Sequence, residues 1–130
     1  MSYKKRKTGT RKQIGKVFPT KQNKLGTRKH LLLTKALKSK LPPLYSQENN
    51  PDPKAIVKFF DPTSQWTWYA TEFDGKDTFF GLVVGHGAEL GYFSLSKLES
   101  TRGRFGLPIE RDKYFDPIPL SEIRNKHRGR

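Results

Sequence analysis

Residues 55–96 read AIVKFFDPTSQWTWYATEFDGKDTFFGLVVGHGAELGYFSLS, and this stretch decides the fold. It holds most of the aromatic residues and all the long runs of β-branched and aromatic side chains. Such runs, bounded by turn residues, predict strands. The first covers residues 54–60, the second 66–73, the third 78–84 and the fourth 89–93. Asp61-Pro62-Thr63-Ser64 and Gly85-His86-Gly87 read as turns. Asp74-Gly75 is a hairpin signal, since Gly accepts positive φ and Asp tolerates it. A two-residue loop there would set Trp68 opposite Gly81 and Glu72 opposite Asp77. Facing carboxylates are unfavourable by roughly 0.2–1 kcal/mol. Either the loop is longer by a residue or two or a cation stands nearby, so the register stays open. Strand two is apolar on both faces, with Trp66 and Trp68 on one and Tyr69 and Phe73 on the other. That pattern predicts a central strand, covered on both sides or using one face for binding.

Working outward, Thr27 can cap a helix over residues 28–40 that places Leu33, Ala36, Leu37 and Leu41 on one face. Pro42-Pro43 ends it. Its leucines can dock on the sheet, or the basic helix can meet a membrane or a partner. On the other side, Ser96-Lys97-Leu98-Glu99 fits a capping box that starts a short helix. Residues 101–106 (TRGRFG) read as a flexible basic loop, 107–112 as an edge segment and 114–119 as extended chain. Residues 120–123 read as a last helical turn. The expected fold is α+β: a small antiparallel sheet of about four strands with an N-terminal helix, short C-terminal helices and basic disordered tails. The expected organisation is an arm over 1–26, one domain over 27–123 with its sheet core at 54–95, and a tail over 124–130.

Charge is distributed unevenly. The 130 residues carry a net charge of +14, and residues 1–40 hold 14 Lys and Arg with no Asp or Glu, whereas residues 41–130 hold 12 of each. Residues 1–26 have only scattered apolar side chains, too few to offset an ordering cost of about 1–2 kcal/mol per residue. They read as a solubilising tail or as an arm for nucleic acid, and the uncompensated cations favour the arm. Its candidate phosphate contacts are Lys4, Lys5, Arg6, Lys7, Arg11, Lys12, Lys16, Lys21, Lys24, Arg28 and Lys29. Lys4-Lys5-Arg6-Lys7 also passes for a nuclear signal, and the acid-free N-terminus for a transit peptide, although its Lys-rich composition fits the latter poorly. There are no cysteines, which removes disulfides and thiolate metal sites. No apolar run is long enough to span a bilayer as a helix, and no apolar segment follows the basic N-terminus as in a signal peptide.

Chemical motifs are sparse. Gly85-His86-Gly87-Ala88-Glu89-Leu90-Gly91 departs from the dinucleotide fingerprint, because its third glycine is displaced and no long helix follows. His86 is the one histidine outside the basic extensions, which hold His30 and His127, and a single histidine makes no zinc cluster, which needs about four ligands, so no metal or cofactor is expected. His86 reads as a turn or binding-surface residue. Glu72, Glu89, Glu110 and Asp112 are candidates for a carboxylate pair, although Glu110-Arg111-Asp112 more simply pairs within the fold. Trp66, Trp68 and Tyr69, like Phe79, Phe80, Tyr92 and Phe93, offer either core or a stacking platform for single-stranded nucleic acid, and it is the first three that face a partner. Trp66, Trp68 and Tyr69 with His86, Arg102 and Arg104 make the candidate partner surface. Residues 41–122 carry a net −4, so phosphate contact falls to the arm and tails rather than the sheet.

The blocks KFFDPTSQWTWYATEFDG (58–75), DTFFGLVVGHGAELGYFSLSKLES (77–100), GLPIERDKYFDP (106–117) and PLSEI (119–123) together resemble domain-of-unknown-function family 2958. The likeness covers about residues 41–123 and leaves the basic stretch 1–40 outside it. The family is associated with plasmids and other mobile elements, beside DNA-processing and antirestriction functions, and has no agreed activity. The resemblance therefore implies a compact bacterial or phage-type cytoplasmic domain and supplies no catalytic residue.

The first functional expectation is a non-enzymatic, nucleic-acid-associated accessory protein, cytoplasmic and nucleoid- or complex-associated, whose arm grips phosphates with little sequence preference. The second is a protein-interaction module, an inhibitor or assembly subunit, that docks a partner through its aromatic, mildly acidic domain. The third is a small enzyme using carboxylates around His86.

Overall fold

The central hairpin is built by β3 (Thr67–Phe73) and β4 (Thr78–Val84), the two runs richest in aromatic and β-branched residues. The computed structural model describes residues 31–128. The arm, the Thr27 cap and the eleven candidate phosphate contacts from Lys4 to Lys29 lie outside the described residues. β2 (Val57–Phe60), β5 (Ala88–Ser94) and β6 (Glu110–Arg111) complete one antiparallel sheet in the order β5-β4-β3-β2-β6. The sheet thus has five strands rather than four, the fifth coming from the expected edge segment. The expected first strand is divided at Ile56, whose N–H donates to the Ala70 carbonyl at 2.8 Å. Before that point, β1 (Lys54–Ala55) pairs instead with β7 (Ile118–Pro119) in a small second sheet.

β3 is central and covered on both faces. On one face Phe59, Trp68, Ala70, Phe73, Phe79, Val83 and Phe93 pack under Leu32, Leu41, Leu98 and Ile109. Phe79 stacks on Phe73 and Phe93 with centroids 4.5 and 5.2 Å apart. On the other face Tyr69, Leu82 and Val84 pack under Leu120 and Ile123. Each large side chain removed fully from water contributes about 1.5–3 kcal/mol.

Phe73 stands on the Trp68 face, not with Tyr69 as strict alternation predicts. The cause is a β-bulge: Ala70 pairs with Gly81 and Glu72 with Phe80, so Thr71 is an extra residue and parity inverts after it. A side chain at Gly81 would run into the Tyr69 carbonyl oxygen, so the bulge needs glycine opposite it. The hairpin loop is also longer than two residues. Phe73 pairs with Phe79, and the Asp74 N–H donates to the Thr78 carbonyl. Glu72 therefore faces Phe80, and Asp77 turns away to accept from the Ser94 hydroxyl and the Ser96 N–H, both at 2.7 Å.

The helices start and stop differently from expectation. α1 runs only over Lys35–Lys40, with Thr34 as its cap and its Oγ1 accepting from the Leu37 N–H at 3.2 Å. Leu31–Leu33 are not helical. Leu32 is fully buried, and the Arg111 guanidinium donates to the Leu31 and Leu32 carbonyls. Docking on the sheet takes Leu32 and Leu41 fully and Leu33 and Leu37 partly. α2 spans Leu95–Ser100 with Ser94 as its cap instead of Ser96. α3 spans Leu120–Arg128, so most of the stretch expected as a basic tail is helix. No helix among the described residues is long and apolar enough to cross a membrane.

Candidate functional site

α3 positions most of what the described surface offers. Its first turn is fixed from outside the helix: the Leu120 N–H donates to the Pro53 carbonyl at 3.0 Å. The Asp52 carboxylate accepts from the Ser121 hydroxyl at 2.6 Å and from its N–H at 3.0 Å. Those two bonds, the hydroxyl first, hold the Asp52 carboxyl below the ordinary aspartate range. Leu120 and Ile123 then bury against the sheet, and Lys126 and His127 fall in the last turn, where a cation meets the negative end of the helix dipole.

Among the described residues, three cavities flank this helix. One of about 520 Å³ lies between the loop before β1, Thr71, Phe80, Leu90 and Arg124, and carries the carboxylates of Glu48 and Asp52. Another of about 450 Å³ runs from Lys58 and Tyr69 to His127 and carries Asp112 and Asp116. The third, about 390 Å³, lies between the β4–β5 turn and the helix, with His86, Arg124 and His127 in its wall and no carboxylate. A fourth, about 340 Å³, opens at the far sheet edge beside Glu110 and Asp112.

The β4–β5 turn is held by close packing. A Cβ on Gly85 would stand 2.6 Å from the Trp66 ring, so only glycine lets the turn lie on the indole. His86 then meets Trp66 edge-on, centroids 5.7 Å apart. Trp66 itself stacks on Trp68 at 6.1 Å. The Tyr69 ring lies 6.3 Å from that of His127.

The candidate surface residues therefore separate. Trp68 and Tyr69 are buried and present no open ring to a base. Trp66 is half-buried and His86 exposed. Arg102 is buried, its guanidinium donating to the Glu99 and Thr101 carbonyls at 2.9 and 3.0 Å, whereas Arg104 is exposed. Of the four candidate carboxylates, Glu110 and Asp112 line one cavity, and Glu72 and Glu89 lie apart from them and from each other. Glu72 is buried under the 43–49 turns, Glu89 lies on β5, and Glu110 and Asp112 stand at the β6 edge. With strands about 4.8 Å apart, β5 and β6 are separated by roughly 19 Å. Among the described residues no three of His, Asp and Glu stand together as metal ligands. The sequence reading places Arg124 and His127 in a tail. The signal that finds them is the spacing of Leu120, Ile123 and His127, which puts all three on one helical face.

A model of the family described as "Protein of unknown function (DUF2958)" matches residues 29–127. The chain belongs to this family. The DUF2958 match begins well before residue 41 and runs past 123, so α1 and the basic end of α3 are family features rather than additions to it. No curated protein and no solved structure matches the chain.

Proposed function

We propose that this DUF2958 protein is a non-enzymatic, nucleic-acid-associated accessory protein of a bacterial, phage or other mobile-element system, working in the cytoplasm. The observation that carries the reading is the segregation of charge: 14 cations and no acid before residue 41, against an even balance after it. A polyanion gains from such a segment by releasing its condensed counter-ions, a gain without base preference. Arg124 and Lys126 on α3 add two further cations toward the other end of the chain. The test is binding of the full chain to duplex and single-stranded oligonucleotides across salt. If about 6–10 cations meet phosphates, affinity falls by about 10³–10⁵ between 50 and 200 mM salt. Changing Lys4, Lys5, Arg6, Lys7, Arg11 and Lys12 to Gln flattens that slope and leaves the thermal melt unchanged. No binding at low salt overturns the reading.

A second reading, a protein-interaction module, draws on two aromatic rings held in water. Phe105 and Tyr114 are each 90% exposed. A pull-down with and without nuclease separates the two: a partner retained after nuclease, and independent of salt, favours the module.

A further inference from the structure

The turn at Gly85-His86-Gly87 has no part in the arm's proposed role, yet the fold builds a cavity around it. What sets that cavity apart from the other three described is charge of one sign. Its wall takes cationic or potentially cationic groups from two separate elements, His86 from the turn and Arg124 and His127 from α3. No carboxylate among the described residues lines it, while each of the other three cavities described above has two. The Arg124 side chain is half-buried and makes no ion pair or hydrogen bond among the described residues. Arg124 also borders the cavity that carries Glu48 and Asp52, yet it pairs with neither, and a partly desolvated, unpaired guanidinium gains charge-assisted hydrogen bonds from an anion on its carboxylate-free side. The site is also positioned. Trp66 fixes the turn through the Gly85 contact, and Asp52 with buried Leu120 and Ile123 fixes the helix.

We propose that this cavity is a phosphate-binding pocket, in which Arg124 supplies the bidentate guanidinium and His86 and His127 close on the remaining oxygens. Phosphate suits it because a planar fork and two imidazoles can contact a tetrahedral anion from different sides. About 390 Å³ exceeds one phosphate and leaves room for an attached sugar or base beside Gln65. The phosphate can be free or can be the end of a nucleic acid. The proposal does not depend on the arm binding nucleic acid.

The test follows the imidazole resonances of His86 and His127 in the full-length chain at fixed pH and salt. The probes are inorganic phosphate, a 5′-phosphorylated dinucleotide and the same dinucleotide without the phosphate. Saturable shifts of both imidazoles with the two phosphate-bearing probes, and none with the third, are expected. Tighter binding of the phosphorylated dinucleotide than of phosphate assigns a nucleic-acid end, and equal binding assigns a free anion; both support the pocket. Arg124→Gln weakens binding about tenfold or more, as loss of a charge-assisted bond predicts. His86→Asn, at an exposed turn, weakens it without disturbing α3, and Arg104→Gln leaves it unchanged. Replacing the arm cations by Gln leaves the imidazole shifts in place, so failure of the arm reading and failure of this one are separable. Absence of saturable shifts, or equal losses in Arg124→Gln and Arg104→Gln, overturns the proposal.

Discussion

The buried carboxylate of Glu72 accepts the backbone N–H of Tyr45 at 2.7 Å, across 27 residues of chain. Its second oxygen accepts from the Gln47 N–H at 2.8 Å. Tyr45 sits at φ 76°, a region that a tyrosine enters only when something holds it there. One carboxylate on the bulged end of β3 thus fastens the turn-rich segment that links α1 to β1. The Phe73 N–H, donating to the Pro42 carbonyl at 2.9 Å, completes the attachment.

Removing that carboxylate leaves two donors without their acceptor. An unsatisfied buried donor costs about 1–3 kcal/mol. Glu72→Ala is expected to lose roughly that amount for each of the two, and Glu72→Gln less, because its amide oxygen still serves one donor. Urea denaturation of the full chain measures both. A Glu72→Ala protein that unfolds at the wild-type midpoint would show that the segment is held by something else.

The same residue marks where the sequence was legible and where it was not. β4 occurs at its expected boundaries because seven apolar and β-branched residues run between two turn signals without a competing pattern. β3 was legible as a central strand but not in its facing. Alternation puts Phe73 with Tyr69, and the bulge at Thr71 reverses that. Two residues carried the signal: a carboxylate inside an apolar run, and Gly81 in the opposing strand, where glycine marks a bulge or close backbone approach. Thr27 reads as the cap of a helix over 28–40, whereas the helix begins after Thr34, because Leu32 is buried outside it. The pocket at His86 was not legible. Its two walls lie about forty residues apart in sequence, and Arg124 and His127 read as tail until α3 docks on the sheet.

Asp74 gives a pH dependence whose sign is set by geometry. Partial burial disfavours its charge, but the Lys76, Asp77 and Thr78 N–H groups at 2.8, 2.8 and 3.0 Å outweigh it, with Lys76 adding its own charge. Its pKa is therefore lowered from 3.8. A depressed carboxylate stabilises the fold fully above the unfolded-state value and loses that contribution as pH falls through the folded one. The site is largely solvated, so screening limits the effect to roughly 0.5–1 kcal/mol. The stability advantage of wild type over Asp74→Asn should be constant from neutral pH to about 5 and shrink as pH drops below the ordinary aspartate range near 3.9. A difference that grows on acidification would reverse the assignment.

Phe105 is the reverse case of Tyr45. Its φ is 61° and ψ 18°, in the left-handed region, yet its ring is 90% exposed and gains almost nothing from burial. The loop base is firm: the Gly103 N–H donates to the Leu107 carbonyl at 2.7 Å, and the Arg104 N–H to the Thr63 hydroxyl at 3.2 Å. A non-glycine residue in this conformation costs about 1–2 kcal/mol, and replacing it by glycine adds back about 0.5–1 kcal/mol of unfolded-state entropy. Phe105→Gly is therefore expected to raise stability by roughly 0.5–1 kcal/mol, read as a higher urea midpoint with an unchanged slope. If the ring is kept at that cost to meet a protein partner, the same variant loses salt-independent partner capture while oligonucleotide binding through the arm is unaffected. A lower midpoint would mean that the ring packs against the domain in solution, and the loop would then be a structural element rather than a presented one.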